Sequence, residues 1–68
     1  MIGANIKTLR QHASMTQAGL AELMGVSQQA VAFWEAGKSA PQAGDIPKLV
    51  AALHCSYDQL FCEKEETT

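Results

Sequence analysis

Three residues, Gly25-Val26-Ser27, are all that separate two stretches of helical apolar spacing. Before them stand Leu20, Ala21 and Met24; after them Val31 and Trp34 repeat at a helical interval. A connection this short forces the two helices into a sharp corner. Gly25 suits the left-handed residue that stops a helix. Ser27 suits the residue whose side chain starts the next one. The small side chain of Ala21 lets the two helices approach closely. Whatever the chain folds into must accommodate that corner.

The remaining apolar residues follow the same period. Ile2, Ile6, Leu9 and Ala13 share one face of a first helix. Ile46, Leu49, Val50 and Leu53 make the clearest stripe, and Tyr57, Leu60 and Phe61 a short last one. No alternating β-branched run competes. The expectation is an all-α fold of five short helices.

The start and stop signals agree. Thr16, Ser27 and Ser56 each precede a periodic segment and can accept a bond from a first-turn N–H. Each stands in a hydrophobic staple: Met15 with Leu20, Val26 with Val31, Cys55 with Leu60. Ser56 has Gln59 three residues on, the spacing of a capping box. Gly37 suits the stop after the third helix. Pro47 is tolerable only in a first turn, so the fourth helix should start near Gly44 or Asp45. Gly19 falls inside the second helix, where glycine costs about 1 kcal/mol against alanine, and the sequence offers no reason for it.

With 68 residues the chain has room for one domain. A chain of that size buries only about 60% of its unfolded surface, so it must be compact and locally well specified, or gain from a partner. The net charge is −2, which argues against a simple basic DNA-binding patch. Glu63, Lys64, Glu65 and Glu66 account for that charge; the rest of the chain balances. The division expected is a folded unit at 1–62 and an acidic flexible tail at 63–68. No apolar run approaches the roughly 18 residues of a membrane span, and MIGANIKTLR lacks the layout of a signal peptide. A soluble intracellular protein is expected.

The reactive side chains are few. On one helix, Cys55 and Cys62 would lie about 10 Å apart, too far for a disulfide. Two thiols without clustered histidines make a poor zinc site. His12 and His54 are distant in sequence, and neither cysteine has an evident base with an orienting acid. No catalytic residue, metal or cofactor is expected. His54 suits the end of the fourth helix.

If Val31 and Trp34 face inward, the outer side of the third helix is Gln28, Gln29, Ala32, Phe33 and Ala36. That side carries no charge. A solvated helix face more often carries Lys and Glu; this one reads as a contact surface.

At this point the chain resembles a known family. Leu20-Ala21, Gly25-Val26-Ser27, Val31 and the run Trp34-Glu35-Ala36-Gly37-Lys38 followed by Pro41 resemble the helix-turn-helix of the lambda-repressor and Cro family of bacterial and phage regulators. Ile6, Leu9 and Arg10 resemble its first helix, Leu49 to Leu53 its fourth, and Ser56, Asp58 and Leu60 its fifth. The resemblance runs from residue 2 to residue 61. It implies a compact five-helix DNA-binding domain with the helix-turn-helix in the second and third helices.

The resemblance also implies roles. Gln28 and Gln29 occupy the places that read base edges in the major groove. A glutamine amide matches the N6 donor and N7 acceptor of adenine, with about 1–3 kcal/mol of discrimination per good contact. Phe33 stands where the family usually has a polar or basic reader. It could pack on thymine methyls, face a protein, or be a partly buried ring; Ala32 could also meet a methyl. Gln17 matches a phosphate-binding place, Ser27 offers its hydroxyl beside a helix N-terminus, and Lys38 matches a basic phosphate contact or is simply a helix C-terminal cation. Arg10 and Glu35 resemble a structural ion pair between the first helix and the end of the third.

Double-stranded DNA is the expected partner, bound by a homodimer acting as a Cro-like repressor in the cytoplasm of a bacterium or phage-infected cell. Family members of this size pair through their fourth and fifth helices. Tyr57, Leu60 and Phe61 are therefore the expected dimer surface, with Leu60 leaning toward the core. With no second domain to bind an inducer, control would come from concentration or from a regulatory protein partner. Few phosphate-directed cations are available, so a shallow salt dependence is expected, with a log–log slope nearer about −4 than about −10 for a dimer. The alternative is an antitoxin or protein-docking module on the same fold. Leu23, where the family usually has a polar residue, could form an apolar patch with Phe33.

Overall fold

Three of the helix starts are set by a side-chain oxygen. Thr16 Oγ1 accepts from the Gly19 N–H at 2.9 Å, Ser27 Oγ from the Ala30 N–H at 3.1 Å, and Ser56 Oγ from the Gln59 N–H at 3.1 Å. Gln59 Oε1 accepts in return from the Ser56 N–H at 2.9 Å, completing a capping box. The computed structural model describes residues 2–62; Met1 and the acidic segment 63–68 lie outside the described residues.

Between these starts run α1 (Ile2–His12), α2 (Gln17–Met24), α3 (Gln28–Ala36), α4 (Ile46–Leu53) and α5 (Tyr57–Phe61). A single 3₁₀ turn, Ala43–Asp45, leads into α4. It puts Pro47 in the first turn of α4, where the missing N–H had no helical partner to lose. The all-α expectation holds: the described residues form five helices and no strand.

The core is one cluster drawn from every helix. Ile6, Leu20, Val31, Leu49 and Leu60 are wholly buried, joined by Ala21, Met24, Trp34 and Leu53. Leu20, Val31 and Leu60 are the inner halves of the three staples. Their outer halves, Met15, Val26 and Cys55, pack against the same cluster from its rim. Each staple thus fixes the angle at which its helix enters the core. α3 lies against both α1 and α2, α5 against α1, and α4 against α2.

Two expectations need correction. Ala13 is exposed: α1 ends at His12, and the turn beyond it carries Ala13 off the apolar face. Leu60 is wholly buried within this chain. It faces the core rather than a partner, because it is the staple residue that anchors α5.

Gly19 and Gly3 exchange importance. The N–H of Gly19 serves Thr16, and an added Cβ would stand 3.2 Å from that same hydroxyl. Gly3 is the tighter position. A Cβ there would collide with the carbonyl oxygen of Trp34 and come within 3.4 Å of Glu35 Cα. The first turn of α1 therefore lies directly on the backbone at the end of α3.

Candidate nucleic-acid interface

The corner between α2 and α3 is closed by backbone bonds. Gly25 adopts φ 75°, which an L side chain rarely tolerates. That turn lets Val26 N–H donate to Ala21 carbonyl at 3.0 Å, and Gly25 N–H to Glu22 carbonyl at 3.3 Å. Two orphan carbonyls at the end of α2 are thereby satisfied. Ser27, extended at φ −77° and ψ 155°, opens α3 immediately afterwards. The chain turns with no slack between the two helices.

The corner leaves the start of α3 clear of the protein. Gln28 and Gln29 are exposed, while Val31 and Trp34 on the opposite side are buried. No acidic residue stands in the first turn of α3, so the free N–H groups and the helix dipole present a partial positive charge beside two amides. Ala32 is half-buried and Phe33 is 39% exposed. The ring is neither a core ring nor a fully solvated one. Ser27 is exposed; its oxygen accepts from Ala30, and the hydroxyl proton remains available to donate. Lys38 is exposed just past Gly37, and its backbone N–H donates to Phe33 carbonyl at 2.9 Å, closing α3.

The far end of α3 is held by charge. Arg10 Nε donates to Glu35 Oε2 at 2.7 Å, and Arg10 Nη2 to Glu35 Oε1 at 3.2 Å. Arg10 Nη1 donates to Met15 carbonyl at 2.7 Å, so the same guanidinium also pins the α1–α2 connection. The two side chains are only 11% and 4% exposed. Burial alone would raise the Glu35 carboxyl. The hydrogen bonds from Arg10 and Gln17 and the charges of Arg10 and Lys7 outweigh it and hold the group below its ordinary value.

Gln17 is the residue whose surroundings the sequence did not reveal. It starts α2, but its Nε2 donates to Glu35 Oε1 at 3.0 Å, making it part of the Arg10–Glu35 network. No local spacing signals this contact, which joins residues 18 positions apart. The last candidates take no part in this hydrogen-bonded group. Tyr57 and Phe61 on α5 are 51% and 48% exposed, an apolar pair open to solvent. Leu23 on α2 is 64% exposed. Cys55 is half-buried, and burial pushes its thiol up, away from the reactive thiolate.

Comparison with known proteins agrees with this geometry. A helix-turn-helix family model matches residues 6–60. Repressor protein C2 of Salmonella phage P22 is 33% identical over 61 residues, which are 90% of this chain and 28% of that protein. The chain thus spans under a third of that relative's length. A crystal structure of the P22 c2 repressor in complex with a synthetic operator superposes with a TM-score of 0.83 at 32% identity, covering 91% of this chain and 94% of that one. The restriction-modification controller protein C.AhdI of Aeromonas hydrophila gives a TM-score of 0.82 at 30% identity, over 88% and 91% of the two chains. With the corner, the five-helix order and a family match running from Ile6 to Leu60, the chain belongs to the helix-turn-helix family of Cro and phage-repressor type.

Proposed function

We propose that this chain binds double-stranded DNA sequence-specifically and acts as a transcriptional repressor in a bacterial or phage setting. The observation that carries the reading is the exposed, uncharged start of α3, where Gln28 and Gln29 follow a capping serine while the far end of the helix is buried and ion-paired. A helix presented in this way enters the major groove with its first residues against base edges. Each glutamine offers an amide donor and acceptor to adenine. Phe33 and Ala32 follow on the same side and suit thymine methyls. Gln17, Ser27 and Lys38 flank this edge and would bind phosphates, setting register without reading sequence.

The chain acts as a homodimer in this reading, with Tyr57 and Phe61 at the contact and half-sites about one turn of DNA apart. The kinship with phage P22 repressor C2, one of whose solved structures holds a synthetic operator, supports the DNA-binding part.

The test is selection of bound fragments from random duplex DNA. The expected product is an inverted repeat whose half-sites contain A·T pairs. The Gln28→Ala/Gln29→Ala variant should lose that preference while keeping weak binding to any duplex. Selection that returns no preferred word from the wild-type protein sinks the reading.

A second reading has its own observation. Leu23 is 64% exposed and Phe33 39%, and apolar side chains so open suit docking of a protein, as an antitoxin would dock a toxin. A partner protein that binds equally well after Gln28→Ala/Gln29→Ala would favour it.

A further inference from the structure

The amide of Gln17 is half used. One N–H meets Glu35 Oε1 at 3.0 Å; among the described residues neither the second N–H nor the amide oxygen has a protein partner. A carboxylate accepts and never donates. Glu35 therefore decides which way round the amide sits, with nitrogen toward the carboxylate and oxygen away. A DNA phosphate also only accepts, so it needs the same NH₂ group. The two N–H bonds of an amide are fixed in one plane; holding the first sets the direction of the second. Glu35 can do this beside a polyanion because Arg10 covers it at both oxygens, through Nε at 2.7 Å and Nη2 at 3.2 Å. The glutamine's rotamer freedom, which binding would otherwise have to freeze, is already restricted before DNA arrives.

We propose that Glu35 is a positioning residue for DNA binding: it holds the Gln17 amide by one N–H and leaves the other aimed for a backbone phosphate. The inference rests on the DNA-binding reading above. A carboxylate only 4% exposed and held by Arg10 of α1 thereby sets the strength of a phosphate contact at the start of α2.

The test measures anisotropy of a fluorescein-labelled mixed-sequence duplex at low salt, since a phosphate contact needs no operator. Gln17→Ala is made in three backgrounds: wild type, Arg10→Met/Glu35→Leu and Arg10→Met/Glu35→Gln. Replacing both members of a buried pair by side chains of like size tends to preserve the fold, and circular dichroism checks it. The two double backgrounds lack Arg10 equally; position 35 offers an acceptor oxygen, with an NH₂ beside it, in one and no polar atom in the other. Gln17→Ala should weaken binding about tenfold in the wild type and in the Glu35→Gln background, and less than about twofold in the Glu35→Leu background.

An equal loss in all three backgrounds overturns the proposal, because Gln17 would then act unaided. No loss in any background, with only a lowered denaturation midpoint, overturns it too, because the bond would be purely structural. Should a double variant not fold, the side-chain amide resonances of Gln17 in the wild-type protein decide: they shift on adding duplex, or the proposal is wrong. A wild-type protein that binds no duplex at all removes the DNA-binding reading, and this one with it.

Discussion

The first and last turns of α3 belong to one short helix but have opposite surroundings. At the first, Gln28 and Gln29 reach solvent, while the Ser27 hydroxyl, the Val26–Val31 staple and the corner hold the backbone. At the last, Trp34 is buried, its carbonyl lies against Gly3, and Glu35 is bound by Arg10 and Gln17. The difference separates two jobs. Among the described residues the amides proposed to read bases make no hydrogen bond to the protein, and the helix is fixed at its far end, where Gln17 is held by only one N–H. A short helix clamped at one end points its other end in a fixed direction, which is the preorganisation that recognition requires.

The comparison can be broken most severely at the clamped end. Arg10→Ala leaves a carboxylate buried without its cation and should cost about 3–5 kcal/mol of stability, read by urea denaturation. A loss below about 1 kcal/mol would reduce the pair to an ordinary surface contact. Gly3→Ala comes next. In an open helix that change gains about 1 kcal/mol; here the new methyl strikes the Trp34 carbonyl, and a net loss of about 1–3 kcal/mol is expected.

Acid should weaken the same end by a smaller amount. The folded Glu35 carboxyl sits below its ordinary value of about 4.5. Its contribution is therefore complete above that value and disappears as pH falls through the lower folded one. The Arg10→Met/Glu35→Leu variant should lack this part of the acid limb, so the gap between its denaturation midpoint and the wild type's should change with pH in that window. A constant gap would mean that Glu35 is not held low. The smallest effect belongs to the exposed end: Gln28→Ala/Gln29→Ala should change stability by no more than about 0.5 kcal/mol. A larger change would mean that those amides are structural and not presented.

What could be read from the sequence, and what could not, divides along physical lines. Caps, staples and stops are decided within four or five residues, and Thr16, Gly25, Ser27, Gly37 and Ser56 all do as their spacing implied. The exposed edge of α3 followed from period alone. Contacts across the chain left no such mark. Nothing local says that Gly3 must be small because α3 crosses it, or that Gln17 will meet Glu35. Leu60 shows the limit from the other side. Its stripe partners Tyr57 and Phe61 are exposed, and only the staple with Cys55 distinguishes it from them. His54, at φ 53° after α4, takes the left-handed role that sequence reasoning reserves for glycine; nothing in the sequence marked it for that conformation.

Asn5 has a consequence for how the protein is made. Its Nδ2 donates to the carbonyls of Leu60 and Cys62, each at 2.8 Å, fastening the first helix to the end of the last. Those bonds, like the burial of Leu60, join α1 to residues 55 and 57 positions further along the chain. A nascent chain can form individual turns as it leaves the ribosome, but it cannot fasten this seam until α5 has emerged. Completion of this unit then waits for α5, and a synthesis product cut short before it would lack both the seam and a wholly buried piece of its core.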